Sequence, residues 1–226
     1  MDCMEGMRQY HDKYFDLAIV DVPYGIGESG SKNHTRSNLA TAKNYKAFHG
    51  DDLKAPEGDY FEELRRVSKN QIIWGANHFI SKIPIDSHCW IVWDKNNGEN
   101  DFADCELAWT SFDTAVRQFT YTWHGMIQQN MKNKENRIHP TQKPVALYEW
   151  LLSKYAVKGD KILDTHVGSA SSLIACHNLG FDCVGFEIDK VYYDMATNRL
   201  ETHKSQIDMF SCGVERYTQT KLGGSI

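Results

Sequence analysis

A four-residue motif, Asp21-Val22-Pro23-Tyr24, contains the groups that are needed to orient an amine. The Asp21 carboxylate and the Val22 backbone carbonyl are two acceptors, Pro23 fixes the turn, and Tyr24 presents an aromatic face. The exocyclic amine of a nucleobase is a poor nucleophile because its lone pair is delocalised into the ring. Two acceptors that hold its N–H groups would let the nitrogen rehybridise and attack an electrophilic methyl group. A turn without chemistry explains these four residues equally well.

The position of this motif in the chain favours a functional interpretation. The preceding segment, Leu17 to Val20, is apolar at every position, which is typical of a parallel strand buried on both faces. Ligands of open α/β sheets bind at the carboxyl ends of such strands. A base that stacks on Tyr24 would gain about 1–3 kcal/mol, which offsets part of the few kcal/mol needed to flip it out of a duplex.

A second motif, between residues 160 and 189, reads as a strand, a Gly/Ser turn, a helix and a strand that ends in an acid. Residues 168–170 are small, so the backbone can approach a ligand toward which the following helix points its N–H groups. Glu187 lies 23 residues after Asp164, the usual place of an acid that accepts hydrogen bonds from ribose hydroxyls. The second and third glycines of a dinucleotide fingerprint are alanine and leucine here, which favours S-adenosyl-L-methionine. A tight turn with a surface glutamate is the alternative.

Together the two motifs resemble those of the amino-directed DNA methyltransferases of bacteria and phages, which use S-adenosyl-L-methionine. The family's catalytic motif is D-P-P-Y and its cofactor loop is D-P-F-x-G-S-G-T; this chain differs at Val22, His166 and Ala170. The catalytic motif precedes the cofactor motif, which is the permuted order of the β group, and the resemblance spans about Asp2 to Leu200. It implies that the catalytic residues are Asp21, Val22, Pro23 and Tyr24, and that the cofactor-binding residues include Asp164, His166, Gly168, Ser169, Ala170, Ser171 and Glu187.

Two further segments are similar to parts of the same family. The sequence HPTQKP, residues 139–144, resembles the segment that precedes the cofactor loop. That resemblance assigns Thr141, Gln142 and Lys143 to the methionine end of the cofactor. The opening DCMEGM resembles a segment that carries an acid near the cofactor adenine, which implies that role for Asp2.

The first residue of the catalytic motif, Asp21, indicates which base is methylated in the family that the chain resembles. Aspartate at this position favours the N6 amine of adenine, whereas serine is commoner in cytosine-N4 enzymes. Methylation of the cytosine ring carbon needs a nucleophilic cysteine that usually follows a proline, and no proline in this sequence precedes a cysteine. We therefore predict adenine-N6 methylation of double-stranded DNA. The alternatives are cytosine-N4 methylation, an inactive relative that binds cofactor or nucleic acid, and methylation of RNA or of a protein glutamine.

Basic residues are concentrated in two loops beside the motifs, although the formal net charge of the chain is -5. That net charge alone argues against a protein coated in positive charge for nucleic acid. Lysine and arginine in the two loops could nevertheless contact phosphates, with solvated loop charge as the alternative for each one. The candidates are Lys32, Arg36, Lys43, Lys132, Lys134 and Arg137. So small a recognition region would read a short site or require a homodimer.

The alternation of strands and helices predicts an α/β protein with a Rossmann-like methyltransferase fold. Its sheet should be mostly parallel with helices on both faces, in one domain over residues 1–226. A mobile loop is expected at about 28–52 and a small target-recognition excursion at about 113–138. The predicted strands are Leu17–Val20, Gln71–Gly75, Cys89–Trp93, Cys105–Ser111, Phe119–Trp123, Lys161–Asp164 and Cys183–Glu187. The predicted helices begin near Glu57, after Pro144, after Ala170 and at Val191, and the last of them ends at about His203.

Composition indicates where in the cell the protein is expected. No apolar run approaches the roughly 18 residues that span a bilayer, and the first residues lack the apolar centre of a signal peptide. We expect a soluble cytoplasmic protein with no membrane partner. Six scattered cysteines without a C-x-x-C pair predict free thiols and no metal site.

Overall fold

A computed structural model describes residues 1–27, 54–83, 85–98, 103–124 and 126–221, the last 15 of them as helical backbone without side chains. The loop expected to be mobile at 28–52 lies outside the described residues. So do three of the candidate DNA contacts, Lys32, Arg36 and Lys43.

One sheet of seven strands forms the centre of the molecule. The strands of the described chain are β1 (Phe15–Val20), β2 (Ser68–Trp74), β3 (Trp90–Asp94), β4 (Cys105–Thr110), β5 (Arg117–Thr120), β6 (Trp123–His124), β7 (Ile127–Gln128), β8 (Lys161–Asp164) and β9 (Asp182–Gly185). Their order in the large sheet is β5-β3-β4-β2-β1-β8-β9, and β6 pairs with β7 in a separate hairpin. Strand β4 is antiparallel to both neighbours, and every other pair in the large sheet is parallel. The prediction of a mostly parallel sheet is confirmed.

Helices cover both faces of this sheet. They are α1 (Cys3–Met7), α2 (Gly58–Val67), α3 (Val145–Tyr155), α4 (Ser171–Leu179) and α5 (Lys190–Lys221), with short 3-10 turns at Ala76–His78 and Ile80–Lys82. Strand β1 shows the two faces: Ala18 and Val20 pack in the cluster that contains α1 and α2, whereas Leu17 and Ile19 pack in the cluster of α3 and α4. This double burial explains why the strand is apolar at every position.

Three elements differ from the sequence prediction. Helix α1 was not predicted, because five residues are too few to show a helical period; Asp2 caps it by accepting from the backbone N–H of Met4 and Glu5. The predicted β segment at Phe119–Trp123 is divided between β5 and β6. Helix α5 continues well beyond His203, to Lys221.

The chain reverses its direction of travel across the sheet between two adjacent strands. From β1 the chain continues to β2 on one side, and from β8 it continues to β9 on the other side. A crevice forms at the carboxyl ends of strands at such a switch point, and ligands of open α/β sheets bind there. Asp21 follows β1 and Asp164 ends β8, so both predicted motifs lie at this crevice. None of the helices within the described residues is long and apolar enough to cross a membrane.

Candidate active site

The motif after β1 is anchored by its hydrophobic residue and presents its polar groups. The Val22 side chain is buried in the core beside α2. The Asp21 side chain is 17% exposed, and the Tyr24 hydroxyl donates to its Oδ1 at 2.9 Å. The same hydroxyl lies 3.3 Å from Oε2 of Glu106, in β4. The Val22 side chain thus packs into the core at the position where the family's motif has proline.

The Tyr24 ring lies against the backbone that follows β2. Gly75 has a φ of 69°, and a Cβ atom on it would lie 2.1 Å from Cε1 of Tyr24. The exposed His78 ring stacks on Tyr24, with centroids 5.1 Å apart and planes at 15°. The ring that is predicted to stack on a base is thus packed against Gly75 and His78.

We expect Gly75→Ala to displace Tyr24 and lower both stability and kcat. A left-handed backbone costs alanine about 1–2 kcal/mol, and the overlap with the ring adds about 1–3 kcal/mol. Thermal unfolding and steady-state methylation measure the two effects. Gly180→Ala is the matched control, because Gly180 has a φ of 73° and nothing within 4 Å of its Cβ position. Equal losses in the two variants would show that Tyr24 tolerates the added methyl group.

Two lysines and two carboxylates form a buried charge cluster around Asp21. Lys143 Nζ lies 2.6 Å from Asp21 Oδ1 and 3.0 Å from Glu106 Oε2, and Lys95 Nζ lies 2.5 Å from Glu106 Oε1. The Lys143 side chain is only 4% exposed. Burial raises the pKa of Asp21, with a further increase from the Glu106 charge and an opposing effect of Lys143. Burial also raises the pKa of Glu106, but the positive charges of Lys143 and Lys95 outweigh burial and lower this pKa to about 2.

The loop after β8 is folded tightly by hydrogen bonds to Asp164. This buried carboxylate accepts from the His166 backbone N–H at 2.9 Å and from the Ser172 hydroxyl. Burial raises its pKa to about 6. Gly168 and Ala170 have φ angles of 52° and 63°, and this left-handed pair turns the chain into α4. Ala170, which stands where the family's loop has glycine, adopts this left-handed conformation with its side chain fully buried.

Glu187 lies at the carboxyl end of β9 and faces the same loop. Its Oε2 accepts from the Gly168 N–H and its Oε1 from the Asp189 N–H, both at 2.9 Å. Burial raises the pKa of Glu187, and the backbone donors oppose that increase. The amino group of Met1 donates to the Glu187 carbonyl at 2.8 Å, which places the start of the chain and Asp2 at this edge of the sheet.

The segment 139–144 connects the cofactor loop to the catalytic motif. A Cβ atom on Gly168 would lie 3.7 Å from the ring of His139, whose Nδ1 lies 3.1 Å from the Thr141 hydroxyl. Burial lowers the pKa of His139 to about 4, so the ring is neutral at pH 7. At the other end of the segment, Lys143 contacts Asp21 as described above; the resemblance assigned this residue to the methionine end of the cofactor.

Comparison with known proteins identifies the family. A family described as DNA methylase, of the N6/N4 class, matches residues 43–198. The chain belongs to this DNA methylase family. The type II methyltransferase M.HpaI of Haemophilus parainfluenzae is 40% identical over 92% of this chain and 74% of its own length. The type II methyltransferase M2.DpnII of Streptococcus pneumoniae is 33% identical over 38% of this chain and 31% of its own length.

Solved structures of DNA methyltransferases share the fold. The complex of M1.HpyAVI with SAM has a TM-score of 0.54 at 21% identity, and covers 88% of this chain and 96% of the other. TTHA0409 of Thermus thermophilus, complexed with S-adenosyl-L-methionine, has a TM-score of 0.53 at 14% identity over 89% of this chain and 93% of its own. The PvuII DNA methyltransferase, which is cytosine-N4-specific, has a TM-score of 0.53 at 11% identity, and the match covers 87% of this chain and 83% of the other. The predicted Rossmann-like methyltransferase fold is confirmed.

The methyltransferase uses S-adenosyl-L-methionine, as its family does, and the residues at the crevice fit that cofactor. Each oxygen of Glu187 accepts one backbone N–H and retains a lone pair for a ribose hydroxyl. The backbone N–H groups of Val167 and Gly168 donate to the Phe186 carbonyl and to Glu187, which keeps the loop close to the end of β9. The exposed Thr141 hydroxyl contacts His139, whose ring lies near Gly168. His166, which replaces the family's phenylalanine, is neutral at pH 7 because burial lowers its pKa to about 4.

The remaining predicted DNA contacts of the methyltransferase differ in their surroundings. Lys132 is exposed, and Lys134 is exposed with its Nζ 2.9 Å from the Met126 carbonyl. The Arg137 guanidinium lies over the Trp123 ring, 4.2 Å from its centroid. Lys132 and Lys134 thus lie at the surface of the excursion, whereas Arg137 packs within it.

The contacts that join the excursion to the cofactor loop involve residues that were not predicted from the sequence. Arg199 donates to the Ser169 carbonyl at 2.6 Å and to the Ser171 hydroxyl at 3.0 Å, and pairs with Glu135 at 2.8 Å. Glu135 also accepts from the backbone N–H of Val145, where α3 begins. These contacts link segments that are far apart in the chain, so no local sequence motif predicts them.

Proposed function

We propose that this methyltransferase transfers a methyl group to the exocyclic N6 amine of adenine in double-stranded DNA. The observation that carries the proposal is the orientation of Asp21 at the switch-point crevice. Both of its side-chain contacts within the described chain, from Tyr24 and Lys143, are made to Oδ1. The second oxygen, Oδ2, is left to accept an N–H of the substrate amine.

The amine would be held by two acceptors at once. One N–H donates to Asp21 Oδ2 and the other to the Val22 carbonyl, so the nitrogen lone pair leaves conjugation and becomes available to attack. S-adenosyl-L-methionine supplies an electrophilic methyl group when bound. The nitrogen gains the methyl group, whose bond to the cofactor sulfur breaks so that S-adenosyl-L-homocysteine leaves, and it loses one proton, which the Asp21 carboxylate would accept.

The roles of the other residues follow from their positions and the family resemblance. We assign Glu187 to the ribose of the cofactor, Asp2 to its adenine and Thr141 to its methionine end. The backbone of the loop 164–171 would lie close to the bound cofactor. Lys132 and Lys134 would pair with phosphates, in a salt-dependent manner. Because aspartate heads the motif, adenine is favoured over cytosine.

Nucleoside analysis of methylated DNA tests this proposal. Purified protein is incubated with S-adenosyl-L-methionine and unmethylated duplexes, and the DNA is digested to nucleosides and analysed by chromatography with mass detection. N6-methyladenine is the expected product. N4-methylcytosine would overturn the adenine assignment and retain the chemistry, whereas bound cofactor with no methylated product would indicate an inactive relative. Boiled protein and the variant Asp21→Asn are the controls.

A further inference from the structure

Lys143 is one of the most buried charged residues in the described chain. Its side chain is 4% exposed and points to the end of β1. Lysine is almost never fully buried unless it is paired. The Trp123 indole N–H donates to the Gln142 carbonyl at 2.8 Å, and Pro144 precedes the first turn of α3. The backbone on both sides of Lys143 is therefore anchored.

The ammonium group of Lys143 uses its three hydrogens on three protein acceptors. These are Asp21 Oδ1 at 2.6 Å, Glu106 Oε2 at 3.0 Å and the Tyr24 hydroxyl at 3.0 Å. An ammonium has three donors and no acceptor, so the group is saturated by these contacts. The same contacts restrict the rotation of the Asp21 carboxylate, because Tyr24 and Lys143 converge on one of its two oxygens.

Glu106 holds Lys143 in this position. It lies in β4, opposite Trp93 of β3, and its second oxygen pairs with Lys95 just beyond the end of β3. The cluster thus contains two positive and two negative charges, and loss of one partner from such a buried group leaves a charge uncompensated. The titratable groups that face Asp21 from the surrounding elements are Lys143, Glu106, Tyr24, Tyr148 of α3 and Asp164 of β8.

We propose that Lys143 is a positioning residue for methyl transfer, which fixes the Asp21 carboxylate through Oδ1 so that Oδ2 meets the substrate amine, and that Glu106 and Lys95 hold Lys143 in place. This proposal rests on the role proposed for Asp21. It differs from the role that the family resemblance assigns to Lys143, a contact with the methionine end of the cofactor. Steady-state kinetics and cofactor binding separate the two roles.

Lys143→Met is the first test. We expect a loss of kcat of up to about 100-fold at saturating cofactor, since a small misplacement of a reacting group has this effect. The Kd for S-adenosyl-L-methionine, measured by calorimetry, should stay within about twofold of the parent value. Lys69→Met is the matched control, because it removes a lysine that pairs with an aspartate, Asp16, on the surface and away from the site.

The pH profile of kcat provides a readout that a purely structural role would not move. Asp21 must be ionised to accept the amine, so the acidic limb follows its pKa. Lys143→Met removes a positive charge and should move this limb to higher pH, whereas Glu106→Gln removes a negative charge and should move it to lower pH. Opposite shifts from two substitutions in one cluster are expected only if both charges act on Asp21.

Lys143→Arg keeps the test decisive if the methionine variant does not fold. Arginine retains the charge but replaces a compact ammonium with a planar fork, so the acidic limb should stay in place while kcat falls. A raised cofactor Kd with unchanged kcat, or pH profiles of Lys143→Met and Glu106→Gln that do not move, would overturn the proposal. If Asp21→Asn itself keeps full activity, the role proposed for Asp21 in the transfer fails, and the positioning role fails with it; if Asp21→Asn is inactive and Lys143→Met is fully active, only the positioning role fails.

Discussion

Replacing Asp21 by asparagine is expected to lower kcat for methyl transfer by about 10²- to 10⁴-fold, while the cofactor Kd stays within about twofold. Asparagine has the same shape, so Tyr24 and the core contact of Val22 are retained. It lacks the charge that draws the amine N–H and accepts the proton. Lys143 keeps Glu106 as its partner, so the variant should fold.

The control for Asp21→Asn is Asp16→Asn. Asp16 lies on the same strand and pairs with Lys69, but it is at the opposite end of β1 from the crevice. This variant should have the kcat of the parent protein. Unchanged methylation by Asp21→Asn would remove Asp21 from the chemistry, and a large rise in its cofactor Kd would mean that Asp21 acts on the binding of the cofactor.

The central sheet could be predicted because each strand carries a local signal. The apolar run before Asp21 and the run before Asp164 both read as buried strands, and the structure places these strands side by side. Residues that follow parallel strands meet at one edge of the sheet, so two motifs separated by 143 positions could be expected to face one crevice. Family resemblance added the roles of the individual residues.

The charge cluster could not be predicted, because it depends on β4, which is antiparallel to both of its neighbours in the large sheet. Glu106 contacts Lys143 and Tyr24 because β4 lies between β3 and β2, an order that no local pattern specifies. Lys95 follows β3 and lies beside Glu106 through the register of β3 and β4. In sequence these two residues are ordinary charged residues near strand ends, and the resemblance assigns Lys143 to the cofactor and not to Asp21.

The packing of the Tyr24 ring also could not be predicted from the sequence. Gly75 ends the apolar segment of β2 and looks like an ordinary turn residue, yet its missing side chain is the space in which the tyrosine ring lies. His78 stacks on the same ring from the following turn. A base that stacks on Tyr24 would have to take the place of the exposed His78 ring. The sequence identified the aromatic residue, and only the structure shows its neighbours.

Replacing Glu187 by alanine should raise the Kd for S-adenosyl-L-methionine by about 10- to 100-fold, because hydrogen bonds to a charged group contribute about 1.5–3 kcal/mol. The change also releases the Gly168 N–H, which loosens the loop that approaches the cofactor. Calorimetric titration measures the Kd, and kcat at saturating cofactor should change little, since we assign Glu187 to the ribose and not to a reacting atom.

Glu187→Gln and Glu201→Ala make this prediction specific. Glutamine retains one acceptor oxygen for the loop but loses the charge, so its Kd should lie between those of the parent and the alanine variant. Glu201 is an exposed acid of α5 paired with Lys204, and its removal should leave the Kd unchanged. An alanine variant of Glu187 with parental affinity would mean that the carboxylate serves only to hold Gly168 and Asp189. A fall in kcat without a change in Kd would instead place Glu187 in the transfer step, which its position at the end of β9, across β8 from Asp21, argues against.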